Sequence, residues 1–324
     1  MSLKEFIIAA GDDGKKLEKW LIREMPSVGM GLRRKYFRLK RYKINGRPAR
    51  EDARLAAGDV LQVYLNDELF EKPRREDPFL SKIRPALRVV YEDAHVLIVD
   101  KKPGLAAHPD AHEKVNTLIT HAQAYLYQKG AYDPAAQGSF APVLCNRLDR
   151  FTGGLEIIAK TREAMDVLNQ KIRDREIEKY YLCAAFGRFE RDEGMFDNYI
   201  VKRPGEKKVR VSLRPDPDGK RAQTRYRVLD CGNGLSLVEC ELLTGRTHQI
   251  RAQMAFAGHP LLGDGQYGDP RRNERYGRGY QALCAYRLKF AFTSSAGALD
   301  SLAGLEFTAS LPRFVQEYFP RYEP

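Results

Sequence analysis

The segment Cys145-Asn146-Arg147-Leu148-Asp149-Arg150-Phe151-Thr152-Gly153-Gly154-Leu155 constrains this chain more than any other. Arg147 and Arg150 bracket one acid, Asp149. Thr152 and two glycines follow, a composition in which the backbone turns closely around a ligand before entering the apolar run at 155–159. The pattern predicts a loop and then a strand. Two guanidiniums beside a carboxylate favour its charged form, and an ionised carboxylate can act as a nucleophile. By themselves these charges also describe a surface ion pair, since charged residues in a glycine-rich loop are usually solvated or structurally paired.

The full string is more specific than its charges. It resembles the signature Arg-Leu-Asp-x-x-Thr-x-Gly-Leu of the RluA-type pseudouridine synthases, which convert uridine to pseudouridine in structured RNA. The resemblance implies that Asp149 is the catalytic residue, that Arg147 helps displace the target base, and that Thr152 belongs to the substrate site. The chain departs from the family at Asn146, where His is usual, at Gly153, where Ser or Thr is usual, and at Phe151, which replaces a usually polar residue.

Two further blocks follow in family order. Residues 178–187 are long and apolar enough for a central strand. Within them Lys179-Tyr180-Tyr181 resembles the family's Lys-x-Tyr motif and implies Tyr181 as the active-site tyrosine. A tyrosine on a strand is ordinarily core packing, but a phenol can stack on a uracil and relay a proton. Tyr180, its neighbour, is expected on the opposite face. Residues 235–242 read as a strand that delivers Thr244-Gly245-Arg246-Thr247-His248-Gln249-Ile250-Arg251, and Ile250, Met254 and Ala257 predict a helix starting near Thr247. This string resembles the family's Thr-Gly-Arg-x-His-Gln-Ile-Arg motif, whose final Arg, here Arg251, pairs with the catalytic Asp. A buried guanidinium needs such a partner. Arg246 and His248 are assigned to support of the loop, and Leu262 is placed against the uracil ring. The family's Leu-His-Ala is Leu283-Cys284-Ala285 in this chain, so that His is missing. His108, beside Pro109 in a turn, has no partner carboxylate or metal spacing and is not assigned as a base.

Charge and length agree with an RNA enzyme. A chain of 324 residues, 43% hydrophobic, can bury a large core and suggests two domains; a net charge of +12 favours a polyanionic partner. No long apolar span or lipidation signal suggests a membrane. The five cysteines are scattered without Cys-x-x-Cys spacing, so neither zinc nor a disulfide frame is implied, and the apolar run at 6–10 is too short for a secretory signal. A cytoplasmic location is expected.

Residues 1–66 read as a small α+β module, with Leu17, Trp20 and Leu21 at helical spacing and a break at Pro26 and Gly29. Residues 31–50 hold nine Lys or Arg side chains and no acid, interleaved with Tyr36, Phe37 and Tyr42. Such a run repels itself unless phosphates supply the counter-charge. The module resembles the S-four RNA-binding domain often fused to these synthases. Residues 67–86, mixed in charge around Pro73, Pro78 and Pro85, are assigned as a linker, and residues 87–324 as the catalytic domain.

The expected fold is α+β: a pseudouridine synthase fold with a mixed, largely antiparallel central sheet flanked by helices and loops, plus the small N-terminal RNA-binding domain. The partner is RNA, ribosomal ahead of transfer RNA by analogy; no metal or cofactor is implied, and the chain is expected to be a monomer. A non-catalytic RNA-binding protein would share the basic module but would not need Asp149, Tyr181 and Arg251 together. A glycosidase would need a second carboxylate opposite Asp149, which no motif supplies.

Overall fold

Leu17, Trp20 and Leu21 place one apolar stripe on helix α1 (Leu17–Glu24), and all three are buried. The computed structural model describes residues 2–25, 28–66, 77–136, 138–203, 205–276 and 279–323. Pro26, expected to end α1, lies outside them. The chain divides into two units, Met1–Glu76 and Asp77–Pro324.

In the first unit, α1 and α2 (Met30–Arg38) share a core with a four-stranded antiparallel sheet of order β1-β4-β2-β3, built from β1 (Ser2–Ile7), β2 (Tyr42–Ile44), β3 (Arg47–Pro48) and β4 (Val60–Leu65). On β4 the alternate residues Leu61, Val63 and Leu65 are fully buried, the period-two pattern of a sheet with one face on a core. Asn45 and Gly46 both have positive φ, as the two-residue hairpin between β2 and β3 demands. The basic run sorts by side chain. Tyr36 and Tyr42 enter the core, with Phe37 packed against Tyr42, while Arg34, Lys35, Arg38, Lys40, Arg47 and Arg50 are exposed.

The second unit is built on an eleven-stranded sheet. Its main path is β11-β10-β12-β13-β9-β14-β8-β6-β5, with β7 beside β8 and β15 beside β14. In chain order the strands are β5 (Val89–Glu92), β6 (Val96–Lys101), β7 (Val143–Leu144), β8 (Gly153–Ala159), β9 (Ile177–Phe186) and β10 (Glu193–Val201). They continue as β11 (Arg210–Ser212), β12 (Gly219–Gly232), β13 (Leu235–Leu242), β14 (Leu283–Phe290) and β15 (Glu306–Thr308). Every pairing is antiparallel except β8 with β14. The helices are α3 (Leu118–Lys129), α4 (Arg162–Arg173), α5 (Gln249–Phe256), α6 (Pro270–Arg275) and α7 (Arg313–Tyr318). None among the described residues is long and apolar enough to cross a membrane.

All of β8 is buried because both its faces are covered, which is why it reads as apolar apart from Glu156. Ile158 packs with Leu97, Val99 and Leu126 of α3, whereas Leu155 and Ile157 join Leu168 of α4 and Phe314 of α7. Each such side chain contributes about 1.5–3 kcal/mol by burial. The parallel contact between β8 and β14 depends on Gly154. Its φ is +109°, and a Cβ there would lie 2.1 Å from the Ala285 carbonyl oxygen. Ala285 pairs with Gly154 on one side and Tyr181 on the other, so this glycine brings the loop before β8 to the tyrosine of β9.

The assigned linker needs correction in its second half. Residues 67–76 lie outside the described residues, but residues 77–86 pack on α3: Leu80 is buried against Ala124 and Tyr127, the Asp77 amide donates to the Tyr127 hydroxyl at 2.7 Å, and Gln128 Nε2 donates to the Ile83 carbonyl at 2.7 Å. The segment after Lys202 forms β11 and the start of β12, both paired to β10.

Candidate active site

Asp149 sits in the turn before β8, where the Thr152 amide donates to its carbonyl at 3.0 Å. The turn is held from below by Lys101, the last residue of β6, whose ammonium donates to the carbonyls of Leu105 at 3.0 Å, Arg150 at 3.1 Å, Asp149 at 3.3 Å and Lys102 at 3.4 Å. Lys101 is 1% exposed, and burial pulls its pKa down to about 8 against the opposing pull of Glu156 and Asp149. Glu156 on β8 is fully buried; one oxygen accepts the Leu148 amide at 3.3 Å and the other has no hydrogen-bond partner among the described residues. Burial pushes this carboxyl up to about 8, with Lys101 opposing.

The partners of Asp149 come from α5. Arg251 Nη1 donates to Asp149 Oδ2 at 2.8 Å, and His248 Nε2 lies 3.6 Å from the same oxygen. Oδ1 accepts no hydrogen bond among the described residues. One oxygen is held and the other is open. The two flanking arginines do not bracket the acid in space: Arg150 pairs with Asp110 at 3.1 Å, and Arg147 stands exposed at the lip of the cleft. The charge partner comes from a distant helix, α5.

Arg251 is itself clamped. Nε and Nη2 donate to the two oxygens of Asp264 at 2.7 and 2.9 Å, Nη2 also donates to Gln266 Oε1 at 2.8 Å, and the guanidinium lies 5.2 Å from the centre of the Tyr267 ring. Asp264 is fully buried; burial raises its pKa, but Arg251 and the amides of Gln266 and Tyr267 outweigh that and leave it lowered. Helix α5 is fixed by a buried polar network in which Gln253 donates to Asn198 Oδ1 at 2.9 Å and the Ala222 carbonyl at 3.0 Å while accepting from the Thr224 hydroxyl at 2.6 Å. It starts at Gln249, two residues later than expected, because His248 adopts the left-handed conformation with φ +53°. That conformation costs a non-glycine residue about 1–2 kcal/mol. It places the imidazole between Asp149 and the Tyr267 hydroxyl, 2.9 Å from Nδ1. Burial lowers the His248 pKa although Asp149 pulls upward, so the ring is neutral near pH 7.

Two spaces share Asp149 in their walls. An inner recess of about 60 Å³ is walled by Leu148, Tyr181, Ile250 and Leu283, with Arg147, Thr152, Arg246, His248 and Arg251 around it. An outer basin of about 350 Å³ is bounded by Arg150, Phe151, Gln266, Tyr280 and Gln281 and shares Asp149, His248 and Arg251 with the recess. Tyr181 keeps its phenolic proton: burial first, then Glu156 and Asp149, push its pKa up. Tyr180 lies on the opposite face, as alternation requires. It lines a cavity of about 440 Å³ whose Arg225–Glu241 and Arg227–Glu239 pairs neutralise one another.

Asp149, Tyr181, Arg251, Arg147 and Thr152 therefore converge on one cleft, but Leu262 does not. It is fully buried in the main core, with its amide donating to the Ala184 carbonyl at 2.9 Å, and Leu148, Ile250 and Leu283 supply the apolar walls instead. Sequence reasoning also gave no role to Lys101, Glu156 or Asp264 and underrated His248. Of these, His248 lies within the Thr-Gly-Arg-x-His-Gln-Ile-Arg string that resembles the family. Among the described residues no group of three His, Cys, Asp or Glu side chains could hold a metal ion.

A sequence model of the family described as RNA pseudouridylate synthase matches residues 95–256. The chain is 31% identical to the uncharacterized RNA pseudouridine synthase YlyB of Bacillus subtilis, covering 85% of this chain and 83% of that protein. It is 32% identical to ribosomal large subunit pseudouridine synthase D of Zymomonas mobilis, covering 72% of each. To ribosomal large subunit pseudouridine synthase C of Escherichia coli it is 27% identical over 90% of this chain and 89% of that one. Among solved structures, the human RNA pseudouridylate synthase domain containing 4 shares the fold, with a TM-score of 0.54 and 23% identity over 70% of this chain and 89% of that chain. With these similarities and the mixed sheet in place, the chain belongs to the RNA pseudouridylate synthase family.

Proposed function

We propose that this enzyme isomerises specific uridines of large-subunit ribosomal RNA, with Asp149 as the nucleophile. The observation that carries the proposal is the split environment of the Asp149 carboxylate, one oxygen held by Arg251 at 2.8 Å and the other open, at a residue that recess and basin share. The ribosomal target is supported by relatives named for the large subunit.

The open oxygen attacks the flipped nucleoside, at the ribose anomeric carbon or at the pyrimidine ring. The N1–C1′ bond breaks, the uracil turns within the recess, and a C5–C1′ bond forms. The C5 proton is lost to solvent and N1 gains one, so the net reaction is an isomerisation. Arg251 stabilises the carboxylate when it is released again. Tyr181 offers a ring face and a protonated phenol beside the turning base. Extruding the uridine costs a few kcal/mol, which Arg147 offsets by entering the vacated space from the lip of the cleft.

Residues 1–66 act as an S-four-like RNA-binding domain, its exposed cations lying along phosphates, while the body from 87 onward does the chemistry; affinity is shared between the two. A cleft complete within one chain supports action as a monomer, and a ribosomal target implies the cytoplasm. Incubation with large-subunit ribosomal RNA and transfer RNA transcripts, followed by carbodiimide mapping of pseudouridine, tests the assignment. Pseudouridine is expected in the ribosomal RNA; formation only in transfer RNA would move the target, and formation in neither would contradict the proposal.

A further inference from the structure

His248 holds a left-handed conformation, φ +53° and ψ 22°, in which glycine or asparagine would sit with less strain. Strain of this kind persists where a side chain has a task. The conformation aims the imidazole between two oxygens: Nδ1 lies 2.9 Å from the Tyr267 hydroxyl, and Nε2 faces Asp149 Oδ2 at 3.6 Å. The Tyr267 oxygen already accepts the Val209 amide at 2.8 Å. Its own proton therefore goes to Nδ1, the acceptor within its reach among the described residues, and burial raises the phenol's pKa so that it keeps this proton. A neutral imidazole that accepts at Nδ1 carries its hydrogen on Nε2, the side that faces Asp149. Tyr267 is fixed in turn, because its amide donates at 3.1 Å to Asp264 Oδ1, on the carboxylate that clamps Arg251. One buried acid thus sets both groups that face Asp149 Oδ2, Arg251 directly and His248 through Tyr267.

We propose that His248 is a positioning residue for the isomerisation, donating its Nε2–H to Asp149 Oδ2 so that the other oxygen stays turned to the nucleoside, with Tyr267 selecting the tautomer that can do so. This rests on the proposed function and deepens it. At 3.6 Å the contact is longer than a hydrogen bond, and catalytic hydrogen bonds of a resting enzyme commonly tighten when substrate is bound. No proton is transferred. When the bond between Asp149 and the nucleoside breaks, negative charge returns to the carboxylate, and a neutral donor adds to the hold of Arg251 without placing a second cation beside it.

Two substitutions divide the ring between them, tested in the full chain on the RNA in which wild type forms pseudouridine. In His248→Gln the amide nitrogen stands in for Nε2 and keeps a donor toward Asp149. In His248→Asn it stands in for Nδ1, keeps the contact with Tyr267 and falls short of Asp149. His248→Asn is expected to lose about a hundredfold in kcat with KM little changed, and His248→Gln to stay within about tenfold of wild type. A merely structural role gives the reverse order, because Asn tolerates the left-handed backbone better than Gln. Tyr267→Phe is expected to lower kcat more in the wild-type background than in His248→Gln, which has no tautomer to set, whereas the Val209 amide that it strands costs the same in both. Nitrogen NMR of the free protein labelled with ¹⁵N-histidine, the His248 signal being the one absent from His248→Gln, is expected to show the proton on Nε2 in wild type and mixed tautomers in Tyr267→Phe. His248→Asn as active as His248→Gln or more so, equal losses from Tyr267→Phe in both backgrounds, or a wild-type proton on Nδ1 would overturn the assignment. Absence of pseudouridine with wild type in every RNA would instead overturn the reaction itself, and this role with it. Thermal unfolding of each variant separates a lost donor from a lost fold.

Discussion

Arg251 Nη1 lies 2.8 Å from Asp149 Oδ2, while the other edge of the same guanidinium grips the fully buried Asp264 at 2.7 and 2.9 Å. The arginine therefore has two duties that mutation can separate. Arg251→Met leaves Asp264 as an unpaired buried charge and is expected to cost about 3–5 kcal/mol. Asp149→Asn, at a part-exposed carboxylate, is expected to cost less than about 1 kcal/mol. Urea unfolding of the two variants checks the contrast.

Glu156 gives a pH dependence of stability. Its carboxyl is held at about 8 when folded, above the usual 4.5, chiefly by burial. A carboxyl with a raised folded pKa binds its proton more tightly in the native state, so its contribution is whole below about pH 4.5 and is lost as pH rises through about 8. Glu156→Gln has no charge to bury and keeps an oxygen for the Leu148 amide. Its stability relative to wild type is expected to improve as pH rises from about 5 to 8. Urea unfolding at both ends of that range measures it, and a flat difference would mean the Glu156 carboxyl is not shifted.

Gly154→Ala should disrupt the site from behind. The new Cβ would meet the Ala285 carbonyl oxygen at 2.1 Å in a backbone conformation that L side chains rarely adopt, so β8 and β14 must part. The combined strain and overpacking are expected to cost about 3 kcal/mol or more. A thermal scan would show it as a lowered midpoint.

Exchanging Arg34, Lys35 and Arg38 for Gln removes exposed charge from α2 without touching the core of that unit. Folding stability should stay within about 0.5 kcal/mol of wild type. RNA affinity should fall, and the slope of log K against log salt should flatten by about 0.7–0.9 for each phosphate that the variant no longer neutralises. Filter binding across a salt series provides both quantities.

The elements with strong periodicity were legible before the structure. β9 and β13 fall within a residue or so of their expected positions, because each carries a long apolar pattern. The pairing of Asp149 with Arg251 was legible through the motif resemblance, but not through the local charges, since among the described residues Asp149 pairs with Arg251 and Arg150 with Asp110. Lys101 and Glu156 were hidden because a single charged residue in an apolar strand has the same spacing whether it faces solvent or core. Leu262 was misplaced for a related reason: the short backbone pairing with Ala184 fixes its side chain into the main core rather than the cleft. Three departures from the family motif have local explanations. Asn146 bridges to β8, accepting the Ile157 amide at 2.7 Å and donating to the Leu155 carbonyl at 3.2 Å. Gly153 leaves room for Pro103, whose ring a Cβ would approach to 3.1 Å. Phe151 stacks on Tyr280.

The central claim is that the Asp149 carboxylate performs the isomerisation. Release of tritium from large-subunit ribosomal RNA labelled at uridine C5 tests it most directly, with wild type and Asp149→Asn side by side at matched RNA occupancy. Release by wild type with loss of at least about a thousandfold in the variant is the predicted result, as removal of a nucleophile has no substitute in the cleft. Equal release by the two proteins would contradict it.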